Sequence, residues 1–152
     1  MSRKKEVSFC EFSPLKAAGP KPNISAFYKH KKNCRWHGIK DEPYKHEAGG
    51  WSDIMRMVLI GSHGESAGFH LRYFEIGMGG SSSFEEHRHE HVVICIRGRG
   101  IVRFGNKKRR MDYLDTLYIS PDTPHQLSNP YDEPFGFFCI VNAKRDRPRL
   151  LK

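Results

Sequence analysis

The sequence predicts an all-β fold, an antiparallel sandwich or small barrel. From Trp51 onward short apolar runs follow one another: DIMRMVLIG, FHLRYFEIG, HVVICIRG, IVRFG, TLYIS and FGFFCIVN. Turn chemistry separates them, in GSHGESAG, GMGGSSS, GRG, FGN, SPDTP and NPYDEP. Strand signals spaced by roughly 8 to 15 residues suit such an architecture. No apolar pattern of helical period runs for a convincing length, and no internal repeat is visible.

Each apolar run reads as one strand bounded by its turn. Length agrees with a single domain: 152 residues can bury a core without disulfides or a structural metal. Hydrophobic residues at 38% and charged residues at 28% exclude a fully disordered chain. No run approaches the roughly 18 apolar residues of a membrane span. The opening MSRKKEVSFCEF carries positive charge with no apolar core behind it, which argues against a secretory leader. A cytoplasmic protein is the expectation.

The first 50 residues differ in texture. Pro14, Pro20, Pro22 and Pro43 interrupt any long element, so residues 1–50 read as an irregular basic extension, with one or two short strands near Ile24 to Tyr28. Residues 51–145 form the predicted barrel and residues 146–152 a tail. The net charge of +9 is concentrated at the ends. Residues 1–50 hold 11 Lys+Arg against 5 Asp+Glu, whereas residues 51–145 are nearly balanced at 12 against 11. A solvated tail is the plain reading, and polyanion contact the sharper one. Lys107, Lys108, Arg109 and Arg110 read as an exposed turn. No zinc-finger spacing, Walker loop or RNA-binding signature accompanies the charges, so nucleic acid is disfavoured as a partner.

Cys10, Cys34, Cys95 and Cys139 are far apart and form no CxxC pair, which fits reduced thiols. Cys95 and Cys139 lie in apolar runs and are expected in the core. Cys34 and His37 have metal-like spacing, but no second half follows them.

The informative histidines cluster. Glu85, His87, His89 and His91 share odd parity and would project to one face of an extended strand. Burying such a row without a partner is costly, and a divalent metal relieves that cost. Imidazole and carboxylate suit Mn, Fe, Ni, Co, Cu or Zn. A further ligand is available 34 residues beyond His91, at His125, where the turn PDTPH aims a side chain inward. The plain alternative is a surface His-rich strand with no metal. His30, His37 and His46 fall in the basic extension and read as solvated. His63 lies in a Gly/Ser turn. His70 and Arg72 share parity, and surface positions are expected for both, with substrate charge recognition as the lesser reading.

Over roughly Gly68 to Val141 the sequence resembles the cupin family of small double-stranded β-helix (jelly-roll) barrels. Two motifs carry the resemblance, about Gly79 to Gly100 and Asp115 to Asn129. The second fits well, with Asp115, Pro121, Pro124, His125 and Asn129. The first departs from the family pattern. With Gly98 as the motif glycine, His91 replaces the usual Glu, and Glu85 and His87 take the places of the His-x-His pair. With His87 and His89 as that pair, the Glu position falls on Val93, which cannot ligate. A third option joins His87, His89, His91 and His125. The Gly98 register is preferred, making His87, His91 and His125 the firmest ligands, with Glu85 and His89 competing for the remaining position. A His89 that binds no metal would still line the mouth and move protons near neutral pH.

A site of this kind leaves coordination positions for water, oxygen or a small substrate. The resemblance therefore implies a metal-dependent enzyme on a small organic molecule, of dioxygenase or lyase/isomerase type. The expected inner wall is apolar, with Val93, Cys95 and either Phe137 and Cys139 or Phe138 and Ile140. A non-catalytic sensing barrel is the second reading and a polyanion-binding accessory protein the third. Fold alone decides among none of them. A homodimer is expected, the N-terminal arm covering a partner's sheet edge.

Overall fold

A computed structural model describes residues 24–44 and 54–152. Among these residues no helix forms, and every strand pairing is antiparallel. The barrel strands are β4 (Ile54–Ile60), β5 (Phe69–Ile76), β6 (Glu85–Glu86), β7 (His91–Arg97), β8 (Gly100–Phe104), β9 (Lys107–Met111), β10 (Thr116–Ile119), β11 (His125–Ser128), β12 (Phe135–Asn142) and β13 (Arg149–Leu150). Three two-residue strands precede them: β1 (His30–Lys31), β2 (Arg35–Trp36) and β3 (Glu42–Pro43). One sheet has the order β10-β7-β12-β5-β4-β3, and the facing sheet β13-β6-β11-β8-β9. The chain passes back and forth between them, as in a jelly roll.

Alternation explains the strands. On β7, His91, Val93 and Cys95 are buried while Val92 and Ile94 are only partly so. On β12, Phe137, Cys139 and Val141 join the interior, whereas Phe138 packs on the outer face. The inward pair of that strand is therefore Phe137 and Cys139. From the facing sheet Val102, Met111 and Leu127 complete the core. The tight β7–β8 connection depends on Gly98, at φ +59°, where a Cβ would lie 2.2 Å from the carbonyl oxygen of Pro134.

The outer face of the six-stranded sheet carries a second apolar cluster. Trp36 is buried against Tyr73 and Phe138 from that face, and Met57 and Leu59 share the cluster. The segment containing Trp36 also makes an ionic contact there. Glu75 accepts hydrogen bonds from Arg35 (3.3 Å), Arg97 (2.9 Å) and the Tyr73 hydroxyl (2.7 Å). β3 extends the sheet by pairing with β4. The described part of the arm thus lies on the chain's own sheet.

Two sequence expectations are corrected. Residues 24–28 form no strand; the first lies at His30–Lys31, where a tight turn through Asn33 and Cys34, both at positive φ, allows β1 to meet β2. Lys107 to Arg110 form strand β9 itself rather than a turn. Their side chains are exposed on the free edge of the five-stranded sheet, where charge discourages edge-to-edge pairing.

Candidate metal centre

The two sheets bring the histidine-rich segment and the proline turn together. His91 opens β7 in one sheet, His125 opens β11 in the other, and His87 lies in the loop before β7. Potential ligand atoms of His87, His91 and His125 all lie within 4.8 Å of one another, and all three residues are buried. The ring centroids are 5.0 Å apart for His87 and His91, 4.8 Å for His87 and His125, and 4.8 Å for His91 and His125.

The outer nitrogens are committed to the scaffold. His87 Nδ1 donates to the carbonyl of His89, and His125 Nδ1 to the carbonyl of Thr123, each at 2.7 Å. His91 Nδ1 lies 3.4 Å from Cys139 Sγ. A protonated Nδ1 leaves a lone pair on Nε2. In His87 and His125 that Nε2 is buried and has no hydrogen-bond partner in the protein. Buried polar atoms are rarely left so, and a cation bound between the rings satisfies them. The donors present therefore fit a divalent transition metal.

Burial keeps these rings neutral, the form that ligates. Desolvation pushes His91 well below the ordinary imidazole value and also lowers His125. For His87, desolvation together with the neighbouring charge of His89 lowers the pKa to about 4.

Glu85 and His89 flank the triad. Glu85 is fully buried, pairs with His125 across β6 and β11, and accepts a hydrogen bond from Ser83 Oγ at 2.7 Å. His89 stacks parallel on His87, with centroids 3.6 Å apart. Its Nδ1 donates to Asp146 at 2.8 Å, while its Nε2 is buried without a hydrogen-bond partner. Asp146 also accepts the backbone N–H groups of Arg88 and His89, each at 2.8 Å. Partial burial alone would raise its carboxyl, but these hydrogen bonds outweigh that and hold it at about 2.

Asn129 of the second motif is structural. Its Nδ2 donates to the carbonyls of Ile76 and Glu133, and its Oδ1 accepts from the Tyr131 N–H. Arg72 corrects the sequence reading. It is 2% exposed, and its Nη2 reaches Cys139 Sγ at 3.4 Å, on the barrel interior. Its neighbours Phe74 and Ile76 at the same parity are apolar, a signal present in the sequence. His70 is half-buried and accepts from Arg145 at 3.1 Å, so it too is more than a surface residue. Nothing in the sequence marked Asp146 or Arg145. His30, His37 and His63 are exposed, and His46 lies outside the described residues.

Comparison with known proteins agrees with this arrangement. The family model described as "Cupin domain" matches residues 72–141. The 1-methylthio-D-xylulose 5-phosphate methylsulfurylase of Rhodospirillum rubrum is 37% identical over 125 residues, covering 82% of this chain and 79% of that protein. The chain belongs to the cupin family. Two solved cupins share its architecture. A cupin 2 conserved barrel domain protein from Rhodopseudomonas palustris superposes with a TM-score of 0.77 at 34% identity, over 84% of this chain and 87% of that one. A cupin-2 domain protein from Rhodospirillum rubrum gives 0.72 at 35% identity, over 85% and 84%. This cupin, like them, is a small all-β barrel. No helix among its described residues is long and apolar enough to cross a membrane.

Proposed function

We propose that this cupin is a metal-dependent enzyme acting on a small phosphorylated carbonyl compound by lyase- or isomerase-type chemistry. The observation that carries the proposal is the convergence of His87, His91 and His125, with the Nδ1 atoms of His87 and His125 bonded to backbone carbonyls. Its substrate class is supported by the methylsulfurylase relative, whose name specifies a methylthio-xylulose phosphate.

In this reading His87, His91 and His125 would hold one divalent ion, with Glu85 outside this cluster of ligand atoms but next to His125. Its carboxylate is buried beside His125 and would offset part of the charge of a bound ion. When bound, the ion supplies Lewis-acid polarisation of a carbonyl oxygen and acidifies the adjacent C–H. Val93, Phe137 and Cys139 form the wall that excludes water and orients the carbon chain. His89, held by Asp146, stacks on the His87 ring beside the triad.

The test uses untagged protein loaded with Mn. Incubation with xylulose 5-phosphate in D2O is expected to exchange the proton next to the carbonyl. Stoichiometric metal with no exchange would favour a non-catalytic binding barrel. Oxygen uptake with catechols, flavonols or β-diketones would favour the dioxygenase branch instead.

A further inference from the structure

We infer that Cys139 is a positioning residue of the metal centre: its sulfur, held by Arg72, accepts the Nδ1–H of His91 and so leaves the His91 Nε2 lone pair for the ion. The inference rests on the reading of His87, His91 and His125 as ligands of one divalent ion.

Strand register brings the three side chains together. Cys139 on β12 lies between Val93 on β7 and Arg72 on β5. His91 pairs with Val141, which follows Cys139 on the same face of β12. Diagonal neighbours of this kind on one face of a sheet are within reach of a long side chain. Cys139 Sγ accordingly lies 3.4 Å from His91 Nδ1 and 3.4 Å from Arg72 Nη2. All three residues are buried. The Arg72 guanidinium lies over the Phe74 ring at 5.1 Å, which steadies its approach to the sulfur.

Chemistry sets the direction of both contacts when an ion is bound. A guanidinium can only donate, so the sulfur accepts from Arg72. An imidazole that ligates through Nε2 carries its proton on Nδ1, so the sulfur accepts from His91 as well. The buried Nε2 atoms of His87 and His125, which have no hydrogen-bond partner in the protein, mark the side of the triad on which the ion belongs.

His91 thereby differs from the other two ligands. His87 and His125 direct Nδ1 to backbone carbonyls, which a change of side chain does not remove. The acceptor for His91 is itself a side chain, so a single substitution tests it. An apolar residue at this position takes away the group that orients the ring and fixes its tautomer. Loss of such an outer partner costs about 10- to 100-fold in metal affinity.

The experiment is competitive chelator titration of full-length, untagged protein with zinc, paired with nitrogen NMR of isotope-labelled imidazole rings in the zinc-loaded state. Wild type is expected to bind zinc with the His91 proton on Nδ1. Cys139→Ala is expected to weaken zinc binding by about 10- to 100-fold and to shift the ring signals of His91, leaving those of His87 and His125 in place. Cys139→Ser, which restores an acceptor, should recover most of the affinity. Cys139→Val is the apolar variant to use if the alanine variant does not fold. Val93→Ala, which loses packing on the same row of the core but keeps the sulfur, should lower thermal stability with little change in zinc affinity. Zinc affinity in the apolar Cys139 variants equal to that of wild type overturns the inference and leaves the metal centre standing. So does a loss in Val93→Ala as large as in Cys139→Ala, because packing then explains both. A His91 proton on Nε2 in the zinc-loaded wild type overturns it as well. Absence of zinc binding by wild type would sink the reading of the triad as a metal centre, and this inference with it.

Discussion

Asp122 donates its backbone N–H to the carbonyl of His87 at 2.7 Å. This bond ties the proline turn that presents His125 to the loop that presents His87. Two segments distant in sequence thereby meet with fixed spacing. The bond requires Asp122 at φ +58°, a conformation that Gly and Asp tolerate and β-branched residues resist.

Asp122→Val is therefore expected to destabilise the protein by about 1–2 kcal/mol and to weaken metal binding. Asp122→Gly should leave both nearly unchanged. Thermal melts with metal analysis of both variants check this. Equal behaviour of the two would show that the turn is not held by this conformation.

Asp146 anchors the same loop from the tail. Asp146→Asn keeps the shape and loses the charge. After allowance for its partial exposure the expected cost is about 1 kcal/mol, or roughly 2–4 °C in Tm. Because Asp146 holds the His89 ring and the loop carrying His87, a loss of about tenfold in metal affinity should accompany it. A melt and a competitive chelator titration measure the two separately.

The metal-free protein should lose stability in acid. His87 is held at about 4, below its ordinary value of 6.5, so the unfolded chain binds the proton more readily. This contribution is fully present above pH 6.5 and is lost as pH falls from 6.5 through 4. It amounts to about 3 kcal/mol. Urea denaturation across that window reads it, and His87→Gln should flatten the slope.

Trp36 lies far along the chain from the histidines but packs on Tyr73 and Phe138. Trp36→Ala is expected to cost about 3–5 kcal/mol while leaving metal stoichiometry intact in the folded fraction. Loss of metal without loss of stability would mean that the outer cluster shapes the site directly.

Much of this was legible in the sequence because period-two alternation reports burial. The row His91, Val93, Cys95 and the turn before His125 announced strands facing a common interior. The residues missed have contacts that only tertiary structure supplies. Asp146 is one charge in a basic tail until that tail folds back to Arg88 and His89. Trp36 sits in a proline-broken, lysine-rich stretch whose composition hides its docking on the outer face. Arg72 has the parity of Phe74 and Ile76, but its charge favoured a surface reading over the buried one it adopts. In the first motif, choosing Gly98 as the hairpin glycine leads to the three histidines that converge.

Metal binding by the three histidines is read from the metal content of untagged wild type and His91→Ala, loaded under the same conditions. Wild type should carry one divalent ion per chain, and His91→Ala, folded by circular dichroism, should carry almost none. Full metal occupancy in His91→Ala, or an empty wild type after exposure to Mn, Fe, Ni, Co, Cu and Zn in turn, would show that these histidines do not form a metal centre.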